Sequence, residues 1–71
     1  MLKFENKSNG RYYYIFVDKD MLDDIVLRIV YGGRYINRTR TILCSNRNLI
    51  QREIDRLSRK RLKRGYTLVQ D

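Results

Sequence analysis

Arg34, Arg38 and Arg40 fall on one parity of the run RYINRTRTILC, and Arg52, Arg56, Arg59 and Lys63 follow at spacings of four, three and four residues. Such groups perform no covalent chemistry by themselves. A guanidinium offers a planar fork of N–H donors that matches phosphate or carboxylate oxygens, so the chemistry these residues suggest is the gripping of a polyanion. In an extended strand the three arginines leave from one face. On a helix the four later cations leave within about 60° of one another. The surrounding charge is lopsided. Residues 34–64 hold eleven Lys or Arg against Glu53 and Asp55, whereas residues 1–33 hold five basic and five acidic side chains, and the chain carries +8 overall. That asymmetry points to a polyanion partner, nucleic acid first and an anionic membrane surface second. A plainer role competes for the helical cations: they suit the negative end of a helix, their stems cover apolar surface, and Asp55 and Arg59 are spaced as an ordinary i,i+4 pair.

Other chemistries are poorly served. With no histidine and a single cysteine, Cys44, the usual zinc sets and an internal disulfide are impossible. The segment Asp18-Lys19-Asp20-Met21-Leu22-Asp23-Asp24 gathers four carboxylates, but a calcium loop needs glycine at its sixth position and an acid at its twelfth, and Asp23 and Ile29 stand there. No nucleophile, oxyanion donor or phosphate-cradling loop accompanies these acids. The segment reads as a solvated turn, and no catalytic residue, metal or cofactor is expected. A nuclease working through Asp23 or Asp24 is the weakest option.

Seventy-one residues form one domain, 1–71, with room for one core. No apolar run approaches the length needed to span a bilayer, so no membrane partner is expected. The amino-terminal MLKFENKSNG lacks the apolar stretch of a secretory signal, which makes an intracellular address, cytoplasmic or nucleoid-associated, the expectation.

The elements that must position the arginines follow from periodicity. Leu2 and Phe4 alternate with Lys3 and Glu5 as a first strand, and Asn9-Gly10 is a two-residue hairpin signal. Arg11 to Val17 sets Tyr12, Tyr14 and Phe16 on one face and Tyr13, Ile15 and Val17 on the other, the mark of a central strand whose tyrosines pack. Ile25, Leu27, Ile29 and Tyr31 alternate with Val26, Arg28 and Val30, and the sheet turns at Gly32-Gly33. The basic strand from Arg34 follows. Ile42 lies in phase with its arginines, which predicts either an irregularity near Asn37 or arginine stems crossing a partly apolar face. From Ser45 to Tyr66, Leu49, Ile50, Ile54 and Leu57 make an apolar helical stripe. Ser45 or Asn46 can cap its start, and Gly65 ends it. Tyr66 to Val69 can add an edge strand. The fold class is therefore α+β: a small antiparallel sheet of four to five strands with one C-terminal amphipathic helix packed on one face.

This order of parts, with NGRYYYIFV in the second strand, YGGR closing the third and RLKRGY after the helix, resembles the WGR domain over nearly the whole chain. Gly33 and Arg34 match the second and third motif positions, and Arg64, Gly65 and Tyr66 match the characteristic ending. The tryptophan position holds Gly32, with Tyr31 one residue earlier, so the chain is a divergent member by this resemblance. The resemblance implies a small antiparallel sheet with one packed helix. In eukaryotic poly(ADP-ribose) polymerases the domain contacts DNA near strand breaks and docks on neighbouring domains. Carried over by position, it implies phosphate contacts by Arg34, Arg38 and Arg40, with Tyr31 stacking on a sugar or base in place of the tryptophan. The strand arginines are expected to leave from the face opposite the helix or from the strand edge, and Arg47, Lys60 and Arg64, near the helix ends, can join either the strand patch or the helical row. The expected function is a non-enzymatic nucleic-acid-binding module, with DNA ahead of RNA. The alternative is an interaction module for an acidic protein domain.

Overall fold

The computed structural model describes residues 1–19, 21–22, 24–44 and 46–70, the last as backbone alone. Its elements run β1 (Leu2–Asn6), β2 (Arg11–Lys19), β3 (Ile25–Gly32), β4 (Asn37–Cys44), α1 (Arg47–Lys63) and β5 (Thr67–Gln70). The five strands form one antiparallel sheet in the order β4-β3-β2-β1-β5, so the helix carries the chain from one edge of the sheet to the other. The expected α+β architecture is present, and the edge strand expected over Tyr66 to Val69 forms one residue later, as Thr67–Gln70. No helix of the described residues is long and apolar enough to cross a membrane.

One face of the sheet receives the helix because one parity of each strand is apolar. Phe4, Tyr13, Ile15, Leu27, Ile29 and Cys44 bury against Ile50 and Leu57 of α1, with Leu2, Ile25, Tyr31, Ile42, Ile54 and Tyr66 packed around them. Phe4, Ile15, Leu27 and Ile29 are fully buried, each worth about 1.5–3 kcal/mol. Leu49, expected in the helical stripe, is 42 % exposed. It stands about 100° round the helix from Ile50, on the flank of the stripe, where the sheet no longer reaches it.

Among the described residues no helix or strand covers the opposite face. It carries Tyr12 and Tyr14, whose ring centres lie 5.1 Å apart, with Lys3 over Tyr14 and Arg28 over Phe16, both at 5.4 Å. Of the tyrosines expected to pack, Tyr13 is in the core and Tyr12 and Tyr14 are half-buried on this open face.

The turns are built by local hydrogen bonds. Asn6 to Arg11 closes through a four-residue loop, longer than the two-residue hairpin that Asn9-Gly10 suggested. Gly10 sits at φ 74° and donates to the Asn6 carbonyl at 2.8 Å, while Asn6 Oδ1 accepts from the Ser8 backbone and hydroxyl. Asn6 takes the first loop contacts into the fold, and its Nδ2 reaches the Arg64 carbonyl at 3.3 Å, tying the hairpin to the end of the helix. Asn46 caps the start of α1, its side chain accepting from Leu49 N at 3.0 Å. The alternative cap, Ser45, lies outside the described residues, as do Asp20 and Asp23 of the acidic connection. At the far end Gly65 takes φ 87°, Tyr66 N donates to Arg61 O and Gly65 N to Leu62 O. This paired closure is the Schellman arrangement, and it sets Tyr66 against the Arg61 side chain.

Candidate nucleic-acid interface

The β3–β4 ladder runs without interruption from Ile25 opposite Cys44 to Gly32 opposite Asn37. Directly opposed residues of an antiparallel pair share a face. Arg38 stands opposite Tyr31 and Arg40 opposite Ile29, both on the face that bears the helix. The irregularity expected near Asn37 is absent, and the alternative holds: the arginines share a partly apolar face with Ile42. Of the two expected exits for these arginines, the helix-free face is corrected, whereas the edge position stands, since β4 is an edge strand. Arg38, Arg40, Ile42 and Cys44 form one continuous row, apolar where α1 begins and cationic farther along. The row can be cationic there because β4 is an edge strand that the helix does not cover to its end. Arg34 is not on the strand. It occupies the turn between Gly32 and Asn37, so its parity with Arg38 and Arg40 has no geometric meaning.

That turn is tightly folded. Gly33 N donates to Ile36 O at 2.8 Å, and a Cβ built on Gly32 would lie 1.8 Å from the same oxygen. Position 32, which the resemblance aligns with the motif tryptophan, therefore has no room for any side chain. The turn lies beside the β1–β2 loop. Arg34 Nε comes within 3.9 Å of where a side chain would begin at Gly10, and Arg11 Cγ within 3.6 Å of the same point at Gly33.

Between the two turns and the last turns of α1 opens a cleft of about 480 Å³. Its cations are Arg11, Arg34, Arg38 and Arg61, and among the described residues no Asp or Glu lines it. Its aromatic side chains include Tyr13, Tyr31 and Tyr66, with Tyr35 at the rim, 95 % exposed. Tyr13 and Tyr31 pack tilted, ring centres 6.0 Å apart. The Arg61 guanidinium lies 4.3 Å from the Tyr13 ring centre and 5.4 Å from that of Tyr66, and its Nε is buried with no hydrogen-bond partner among the described residues. Cation–π attraction, about 0.5–2 kcal/mol for such a contact, holds the group in place of a carboxylate. Burial pushes the Tyr13 hydroxyl above its usual range, although Arg61, Arg40 and Arg56 pull the other way, so it remains a neutral donor. The helix ends here, and its partial negative charge is offset by Lys60, Arg61 and Lys63 in the last turn and by carbonyls already engaged in the cap.

Of the residues singled out in the sequence, the fold brings Tyr31, Arg34 and Arg38 together at this cleft. Arg40 follows on the same face, close enough to Tyr13 and Glu53 for its charge to act on both. Lys60 and Arg64 are exposed at the helix end just outside it. Arg47 begins the helix, about 21 Å from Arg61 at 1.5 Å per residue, and does not join them. Arg52, Arg56, Arg59 and Lys63 point to solvent as expected, but the Asp55–Arg59 side-chain pair does not form. Arg56 pairs with Glu53, which lowers the Glu53 carboxyl below its usual range, Asp55 accepts from Gln51, and Arg59 Nε donates to the Asp55 carbonyl. Another ion pair, Arg28–Asp18 at 3.3 Å, lies on the helix-free face. None of the arginines assigned to phosphate contacts belongs to either.

Arg11, Arg61, Tyr13, Tyr35 and Tyr66 were not anticipated as site residues. A signal existed for Arg61: it falls seven residues after Ile54 and four after Leu57, in the middle of the apolar stripe. A cation there must either lie against the sheet or distort the helix. Nothing local marks Arg11, which depends on how the two turns meet. Comparisons with protein-family models, with curated proteins and with solved structures gave no match for this chain.

Proposed function

We propose that the domain binds nucleic acid, DNA first, by holding backbone phosphates, and that it acts by binding rather than turnover. The observation that carries this reading is the convergence of Arg11, Arg34, Arg38 and Arg61 on one cleft with no carboxylate among the described residues of its lining. Four like charges brought together repel one another, and a fold tolerates that cost where an external anion relieves it. Arg40 continues the cationic surface along β4, and Lys60 and Arg64 extend it over the helix end. The resemblance to the WGR domain implies the same partner class.

Phosphate neutralisation has a measurable signature. If four to six phosphates are engaged, log K against log salt should fall with a slope of about −3.6 to −5.4 on duplex DNA and about −2.8 to −4.2 on a single strand. A flat salt dependence removes the reading.

A second reading is docking on an acidic protein domain, favoured by the uncovered face with Tyr12, Tyr14 and Phe16, which an incoming domain would bury. A protein partner stays bound after nuclease treatment of the mixture, whereas a nucleic-acid bridge is lost.

A further inference from the structure

The cleft does more than present charge. Phosphates on an exposed backbone are served by arginines on a flat or convex surface, and the Arg38–Arg40 row already supplies one. Here the arginines ring a recess whose walls are tyrosines, and Tyr35 stands at its mouth, 95 % exposed, on the turn that Gly32 makes possible. A large aromatic side chain held out in water next to a recess has surface to offer a ligand. Arg61 is oriented by the rings it covers and, among the described residues, not by an acid. A planar group with a phosphate attached satisfies both features at once.

We propose that this cleft seats one unpaired nucleotide of a single strand, its base against the tyrosines and its phosphate between Arg61, Arg34 and Arg38. The inference rests on the nucleic-acid reading above and narrows it. Inside a duplex a base is stacked on both sides and paired along its edge, so it cannot reach the tyrosines without being extruded at a cost of a few kcal/mol. An unpaired base has a free face, and base–aromatic stacking tolerates any sequence. The cleft volume of about 480 Å³ lies in the range of small-ligand sites, about 300–1,000 Å³. The domain therefore prefers single strands to duplexes, with little choice among bases.

The test uses the whole chain and four 12-mer probes, each titrated across the same series of salt concentrations and compared at matched salt: oligo-dT, a duplex of the same length, an abasic strand with the same phosphates, and oligoglutamate. The expected result is oligo-dT binding about tenfold or more tighter than the abasic strand and the duplex, as one stacked base contributes. Tyr35→Ala should remove most of that margin, while leaving the salt slope and the folding transition unchanged because the residue is exposed. Duplex or abasic strand binding as tightly as oligo-dT, with the salt slope intact, overturns the inference and leaves phosphate binding standing. Oligoglutamate matching oligo-dT also overturns it, since the cleft would then read charge alone. No binding to any nucleic-acid probe overturns both readings.

Discussion

The Arg61 guanidinium sits 4.3 Å from the centre of the Tyr13 ring, at the middle of the helix stripe that faces the sheet. A position that should carry a leucine instead carries a cation held by aromatic faces, and the recess beside it is where the strand and turn arginines meet.

Replacing Arg61 by methionine keeps most of the stem volume and removes the charge. The variant should lose about 0.5–2 kcal/mol of folding stability, the value of a cation–π contact, and bind nucleic acid with a slope shallower by nearly one phosphate. Denaturant unfolding and a salt titration read the two effects separately. An unchanged slope would place Arg61 in the core alone.

Gly32→Ala should cost at least about 2 kcal/mol and rearrange the 33–36 turn, because the new Cβ would meet the Ile36 carbonyl oxygen at 1.8 Å. The backbone itself must move to admit it. Chemical-shift changes are expected to spread from Gly33 to Asn37 and into Tyr31, with affinity falling in step. A variant as stable as the parent would show that the turn is not closed as described.

The Tyr13 hydroxyl gives a pH dependence of known sign. Its folded-state pKa is raised above the ordinary value of 10.0, chiefly by burial. The stability linked to it is therefore fully present below pH 10 and declines as pH rises through the folded value. Tyr13→Phe should flatten the alkaline limb of a stability–pH curve and leave the neutral region almost unchanged. A limb of the same steepness in the variant would assign it to other tyrosines.

Much of this was legible in the chain. Period-two alternation in Arg11 to Val17 and Ile25 to Tyr31, the apolar stripe of Ile50, Ile54 and Leu57, and the cap at Gly65 together dictate a sheet with one helix on it. Parity alone, however, does not say which face of an edge strand the helix will choose. Arg38 and Arg40 looked free to face away, but Ile42 and Cys44 share their parity and belong to the core, which fixes all four on the helix side. The cleft was hidden for a different reason. It needs the β1–β2 loop, the Gly32–Ile36 turn and the helix end to meet, and those contacts join residues far apart in sequence, such as Asn6 with Arg64 and Gly10 with Arg34. Hydrophobic periodicity carries no record of such meetings.

Charge reversal compared across two surfaces is the most direct measurement of the central claim. Arg38→Glu with Arg34→Glu alters the cleft, and Arg52→Glu with Arg59→Glu alters the solvent face of the helix by the same total charge. With both pairs exposed and folding checked by unfolding curves, the cleft pair should weaken nucleic-acid binding by at least about tenfold more than the helix pair, as local phosphate contacts demand. Equal losses would mean that only net charge matters, and a larger loss from the helix pair would move the binding surface to α1. Either result would contradict the account.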